Sequence, residues 1–140
     1  FGENKPLESV WDTKIVVSNE GVKVGEFELE FVGGTHAKIF EGKADVINLG
    51  VIINHKLYYP GDSFALPEKP VDTLALPISA PWMKISESMD FLSAIHPRFA
   101  FPTHDAILSE IGQGLVDRMQ TDMAKSVGTT YQRINDSIEI

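Results

Sequence analysis

Alternating apolar and acidic residues mark the first part of the chain and predict β-strands. Within residues 22–32, apolar residues alternate with polar ones first at positions 22 and 24 and then at positions 27, 29 and 31, which is the pattern of half-buried strands. The alternating positions are Phe27, Leu29 and Phe31, with Glu26, Glu28 and Glu30 between them. Glycines at positions 21 and 25 predict turns, and a β-branched run at residues 14–17 predicts a further short strand. We interpret the glutamates as the solvated side of a strand.

The middle of the chain predicts a hairpin and a buried strand. Residues 45–53 form an apolar run, residues 56–59 form its partner, and Asn54 with His55 supplies the turn, because Asn tolerates positive φ. Residues 71–78 form an apolar run flanked by prolines, which is typical of a buried strand.

Helical periodicity begins only after residue 85. Ser86 is a plausible N-cap for a helix that ends at His96, since Pro97 follows. Residues 98–101 predict a short strand, and residues 131–140 predict a closing strand or hairpin. A long amphipathic helix lies between them, with Gly112 and Gly114 as weak points. Its apolar stripe is Ile107, Ile111, Leu115, Met119 and Met123. The order of elements predicts one α/β domain over residues 1–140 with a mixed sheet.

Composition narrows the classes of function. The chain has 140 residues, 43% of them hydrophobic, which suffices for one packed domain. Its net charge of −8 argues against a nucleic-acid surface, which needs clustered Lys and Arg. The lack of cysteine excludes disulfides, a thiolate nucleophile and a Cys-ligated zinc site, and it fits a reducing compartment, so we expect a cytoplasmic protein. No apolar run approaches membrane-spanning length.

Three loops after predicted strands carry side chains that can bind a metal ion. They hold His36, Asp62 and His104. Ligands bind beyond the carboxyl ends of strands in α/β sheets, so the three could converge on one ion. Imidazole and carboxylate suit zinc, manganese or iron, and such an ion activates water for hydrolysis. Taken singly, each residue is more often a surface or turn residue. We interpret His55 as a turn residue and His96 as a helix-end residue, and neither as a ligand.

The ordered set of loops resembles the metallo-β-lactamase superfamily, and within it the branch of sugar-phosphate lactonase-like hydrolases. The matching stretches are residues 24–36, 49–63, 71–78 and 95–104. The resemblance implies the C-terminal half of an αββα sandwich, with a mixed sheet and helices on one face. It also implies that His36 completes a first metal site, that Asp62 bridges two ions as the catalytic residue, and that His104 completes a second site.

One motif of that superfamily is missing from the chain. The His-x-His-x-Asp-His sequence that precedes these loops has no counterpart here. We therefore expect an incomplete active site, and a zinc, manganese or iron ion that this chain alone holds weakly or not at all. Half a sandwich also leaves an apolar sheet face open. We expect the missing N-terminal half or a second copy of the chain to cover it.

Three hypotheses follow. The first is a fragment or subunit of a metal-dependent hydrolase that cleaves an ester, lactone or phosphodiester bond of a small-molecule substrate. The second is a non-catalytic half-fold module that self-associates through its exposed sheet. The third is an unrelated α/β binding domain whose three loops only resemble ligand loops.

Overall fold

The computed structural model describes residues 14–134 and residue 137. Seven strands within this part form one sheet, in the order of the chain. β1 to β4 pair antiparallel, and β4 to β7 pair parallel. The strands are β1 (Gly21–Val24), β2 (Phe27–Gly33), β3 (Leu49–Ile53), β4 (Leu57–Tyr59), β5 (Thr73–Pro77), β6 (Phe99–Thr103) and β7 (Thr130–Tyr131). The predicted α/β class with a mixed sheet is confirmed.

Two tight turns set the register of the antiparallel strands. Gly25 takes a φ of 60° between β1 and β2. Asn54 and His55 take φ values of 50° and 56° in the loop between β3 and β4, where Ile53 pairs with Leu57. Positive φ at neighbouring positions is the conformation that tight hairpin turns favour. The predicted hairpins are therefore confirmed, although β3 begins at Leu49 and not at residue 45.

Two helices connect the parallel strands. α1 (Ile85–Ile95) links β5 to β6, and α2 (Glu110–Ser126) links β6 to β7 after a 3₁₀ turn (Asp105–Ile107). The helices and one face of the sheet share a core, as the sequence predicts. Its buried members are Ile52, Tyr58, Val71, Leu74, Leu76, Ile78, Phe91, Leu92, Ala100 and Ala124.

The opposite face of the sheet is apolar and partly exposed. Strand register places these side chains on the face away from the shared core: Leu29, Phe31, Val51, Ile53, Leu57, Phe99 and Phe101. All seven are only partly buried. Val24 and Phe27, on the same face of the first hairpin, are each 56% exposed. Both described helices pack on the other face, so no helix in residues 14–134 covers this one.

Two local predictions are wrong, and a third lies mostly outside the described residues. Residues 14–17 are not a strand, and Ile15 there is 86% exposed, because β1 begins only at Gly21. Ser86 is not an N-cap, because α1 begins one residue earlier with Lys84 at the cap. The Lys84 backbone N–H donates a hydrogen bond to the Glu87 carboxylate. Of the closing strand or hairpin predicted over residues 131–140, the described residues contain a strand at Thr130–Tyr131, and residues 135, 136 and 138–140 lie outside the described chain.

The long helix is continuous, but its buried face differs from the predicted stripe. Ile107, Ile111 and Leu115 are 70%, 87% and 57% exposed, whereas Gln120 and Ala124 are buried. The end of the stripe is confirmed, because Met123 packs against the core. The helix docks through the neighbouring face because the amide N–H of Gln120 donates to the Ser88 hydroxyl of α1 over 2.8 Å. Neither helix combines the length and the apolar character that a membrane crossing requires in the described residues.

Candidate metal centre

The three predicted ligand residues lie beyond the ends of the strands, on one side of the sheet. β2, β4 and β6 run in the same direction, so their carboxyl ends meet there. His36 and Asp62 each follow the last residue of a strand by three positions, and His104 follows β6 directly. Oδ2 of Asp62 is 3.8 Å from Nε2 of His36, and Oδ1 is 3.6 Å from Nδ1 of His104. The structure thus brings all three side chains together around Asp62.

Asn48 fixes the turn that presents Asp62. Its amide oxygen accepts the Asp62 backbone N–H over 2.9 Å, and its amide nitrogen donates to the Pro60 carbonyl and the Ser63 hydroxyl over 2.9 and 3.1 Å. Gly61 has a φ of +66°, and a Cβ there would lie 2.5 Å from Oδ1 of Asn48. The turn therefore needs glycine at this position, both for its φ and for the close approach of Asn48.

Trp82 holds the Asp62 side chain. Its indole N–H donates to Oδ1 of Asp62 over 3.0 Å, and the residue is only 8% exposed. The same ring stands edge-on to both imidazoles, with ring centroids 6.2 Å from His36 and 6.3 Å from His104. Sequence reasoning missed Trp82 and Asn48. A large aromatic residue five positions beyond the carboxyl end of β5 is the one signal that could have indicated the first.

The hydrogen bonds of the two imidazoles leave ring nitrogens facing Asp62. Nδ1 of His36 lies against the Ala37 carbonyl, which can only accept, so Nδ1 is the donor and in the neutral ring Nε2 presents its lone pair to Asp62. Nε2 of His104 lies 3.2 Å from the Tyr59 hydroxyl oxygen. If Nε2 donates there, Nδ1 of His104 also presents a lone pair to Asp62. Such outer hydrogen bonds are the usual support of metal-bound histidines.

Two imidazoles and a carboxylate are suitable metal ligands, but they do not form a complete coordination site. Two ligands on one zinc ion, each at about 2.0–2.2 Å, stand roughly 3.3–3.7 Å apart, close to the 3.6 and 3.8 Å from Asp62 to His104 and His36. Over the described residues, no three His or acidic side chains have the arrangement of a ready-made ion cage. The geometry is that of two pairs sharing one carboxylate.

The remaining histidines lie elsewhere. His55 lies in the β3–β4 turn, at the other end of the strands from the candidate ligands. It contacts the carboxylates of Glu28 and Glu30 at 3.0 and 2.5 Å. These three residues line a cavity of about 680 Å³ that includes none of the predicted ligands. His96 is the C-cap of α1, with a φ of 51°. Both positions agree with their interpretation as turn and helix-end residues.

The chain is similar in sequence to a curated protein. Protein Rv0786c of Mycobacterium tuberculosis is 36% identical over 105 residues, which cover 71% of this chain and 50% of that protein. The chain therefore spans about half the length of the curated relative it matches. No family model matches the chain.

Solved structures show where the fold recurs. A protein of Parabacteroides distasonis assigned as a metal-dependent hydrolase matches 87% of this chain and 57% of its own, with a TM-score of 0.65 and 19% identity. Igni18, a metallo hydrolase of Ignicoccus hospitalis, matches 85% and 56%, with a TM-score of 0.60 and 15% identity. CmlA, a diiron β-hydroxylase of Streptomyces venezuelae, matches 84% and 32%, with a TM-score of 0.57 and 13% identity. The chain has the α/β fold of these metal-dependent enzymes.

Proposed function

We propose that the chain is part of a metal-dependent hydrolase and that His36, Asp62 and His104 are metal ligands. One observation carries the proposal. The single carboxylate of Asp62 offers a different oxygen to each imidazole, at distances too long for hydrogen bonds. A metal ion between Asp62 and each imidazole would accept lone pairs from both side chains, which otherwise face one another.

Each residue has a distinct part in this proposal. Asp62 would hold both ions, His36 would bind the first and His104 would bind the second. When bound, zinc, manganese or iron lowers the pKa of a water ligand to about 7 and polarises a carbonyl or phosphoryl oxygen. Trp82 and Asn48 orient Asp62, so that both oxygens keep their directions. The side chains of His36, Asp62 and His104 are 23%, 45% and 17% exposed, so a small substrate can reach all three.

The remaining ligands come from outside this chain in our proposal. Each ion would receive one imidazole and one carboxylate oxygen here, whereas zinc takes about four ligands. An N-terminal half with its own ligand motif would complete both sites and cover the apolar sheet face. The chain's match to half of its relative and to 57% and 56% of two metallo-hydrolases supports this division. The substrate classes we propose are lactones, other esters and phosphodiesters, and the compartment is the cytoplasm.

Metal-dependent turnover tests the proposal. The protein from the complete gene should be stripped with a chelator, reconstituted with zinc, manganese or iron, and assayed on a lactone, an aryl ester and a bis-aryl phosphodiester. We expect hydrolysis of at least one substrate that depends on the ion and falls at least about 100-fold in Asp62→Asn. Asp72→Asn is the matched control, because Asp72 lies at the amino end of β5 and pairs with Arg98. Equal activity of the two variants would overturn the proposal.

The open sheet face favours a second candidate, a non-catalytic half-fold that pairs with its own copy. Exposed Val24 and Phe27 extend this face to the edge hairpin. A metal-free dimer of the complete gene product without turnover of any of the three substrates would support this candidate over the first.

A further inference from the structure

A cluster of charged side chains ties the loop of His104 to the end of the described chain. Arg133, just after β7, forms a fork on Asp117 of α2, with Nε 2.6 Å from Oδ2 and Nη2 3.1 Å from Oδ1. Its Nη1 also donates to Oδ2 of Asp105. The Tyr131 hydroxyl donates to Asp117 over 2.7 Å, and the Gln113 amide donates to Asp105 over 3.2 Å. One guanidinium therefore joins three separate segments.

The cluster is partly buried and stays charged. The side chains of Arg133, Asp105 and Asp117 are 29%, 24% and 25% exposed. Hydrogen bonding to Asp117 raises the pKa of Arg133 above its ordinary value, so the guanidinium remains protonated at any physiological pH. Without this cation, two carboxylates would be left close together in a poorly solvated place, which is unfavourable.

The position of Asp105 gives the cluster a direct connection to the candidate metal centre. Asp105 is the next residue after His104 and opens the 3₁₀ turn. His104 itself has a φ of 63°, in the left-handed region that non-glycine residues rarely adopt. A conformation of this kind persists only where its surroundings hold it, and the Arg133 contact to Asp105 supplies such a hold one residue away.

We propose that Arg133 is a positioning residue for His104, acting through Asp105. The inference rests on the proposed function of His104 as a metal ligand. Loss of the guanidinium releases the Asp105 turn and lets the imidazole drift from its place 3.6 Å from Oδ1 of Asp62. Lysine cannot replace it, because a single ammonium cannot form the fork on Asp117 and reach Asp105 as well.

The chain offers a matched control at the other end of β6. Arg98 precedes this strand and forms a similar fork on Asp72, with distances of 2.8 and 3.0 Å. This pair lies at the amino ends of β5 and β6, away from the carboxyl ends that carry the candidate ligands. Arg98→Met thus removes one guanidinium fork without touching the His104 turn.

Zinc titration of the complete gene product tests the inference, with wild type, Arg133→Met, Arg98→Met and His104→Ala compared by calorimetry. We expect the dissociation constant of zinc to rise about tenfold in Arg133→Met, the usual effect of losing a residue that supports a ligand, and to stay at the wild-type value in Arg98→Met. Asp105→Asn keeps the fork on Asp117 and weakens the arm that reaches the His104 turn, because a neutral amide oxygen accepts more weakly than a carboxylate. It should weaken zinc binding likewise, and it keeps the test valid if Arg133→Met does not fold.

A second readout needs no metal. The ring carbon and nitrogen chemical shifts of His104 in the metal-free protein should change in Arg133→Met and Asp105→Asn, and not in Arg98→Met. If His104→Ala binds zinc as well as wild type, the proposed ligand role fails, and the positioning role fails with it. If His104→Ala loses zinc affinity while Asp105→Asn and Arg133→Met bind like wild type, the positioning role alone is overturned.

Discussion

The indole N–H of Trp82 donates a hydrogen bond of 3.0 Å to Oδ1 of Asp62, the oxygen that also faces Nδ1 of His104 at 3.6 Å. Because the indole occupies one direction around this oxygen, the carboxylate cannot rotate freely about its χ2 angle. Oδ2 is thereby directed at Nε2 of His36. A buried aromatic residue thus sets how one carboxylate is shared between two imidazoles.

Trp82→Phe tests this relationship. Phenylalanine keeps an aromatic ring against Phe64, whose centroid lies 5.1 Å from that of Trp82, but it removes the N–H donor. We expect zinc affinity to fall about tenfold, since the carboxylate loses its orienting partner. Competition with a chromophoric chelator measures the affinity, and a thermal melt checks that the fold is kept. Wild-type zinc affinity in a folded Trp82→Phe protein would contradict the role of the indole.

Asn48→Ala tests the turn beneath Asp62. The variant leaves the Asp62 N–H without its acceptor. It also removes one donor from the Pro60 carbonyl and one from the Ser63 hydroxyl, which keep their bond to each other, so we expect the free energy of unfolding to fall by about 2 kcal/mol. Ser63→Ala removes only one of these groups and should cost about 1 kcal/mol. Urea denaturation followed by circular dichroism measures both. A loss in Asn48→Ala no larger than that in Ser63→Ala would argue against Asn48 as the centre of the turn.

Local patterns predicted most of the fold. The alternation around Phe27 and the Asn54–His55 turn are encoded within a few residues, so the hairpins could be recognised before any tertiary contact was known. The run before residue 20 has the composition of a strand but is not one, because a strand also needs a neighbour with free backbone groups. The described chain pairs β2 with β1 and β3 instead.

Long-range contacts account for what the sequence left open. The buried face of α2 depends on the Gln120 bond to Ser88, 32 residues away, and an apolar-stripe pattern does not register a buried glutamine. Trp82 reaches Asp62 across 20 residues, and Arg133 reaches Asp105 across 28. The candidate ligands could be named from their loops, whereas the residues that orient them became visible only in the folded chain.

Tyr58 and Tyr131 should resist ionisation in the folded protein. Burial raises the pKa of both phenols, and at Tyr131 the hydrogen bond to Asp117 raises it further. Since the folded values exceed the unfolded value of about 10, both groups contribute stability that is present below pH 10 and is lost as pH rises toward the folded values.

Absorbance at 295 nm measures this directly. At pH 11 the folded Tyr58→Phe and Tyr131→Phe variants should show the same tyrosinate signal as wild type. In denaturant each variant should lack the signal of one of the three tyrosines of the chain. A smaller signal in either folded variant would mean that its tyrosine does ionise in the native state.

The open sheet face should drive association. Phe27→Asp places a charge on this face at a residue 56% exposed, and Ile111→Asp places one on the exposed side of α2 at a residue 87% exposed. If the sheet face is the contact, light scattering of this chain should show a smaller assembly for Phe27→Asp and an unchanged one for Ile111→Asp. The reverse pattern would assign the contact to α2.

Anomalous diffraction from zinc-soaked crystals of the complete gene product tests the metal centre most directly. We predict an anomalous peak about 2.0–2.2 Å from a carboxylate oxygen of Asp62 and from a ring nitrogen of His36 or His104. A protein that binds zinc only elsewhere, for instance between His55 and the carboxylates of Glu28 and Glu30, would contradict the assignment of these three residues as metal ligands.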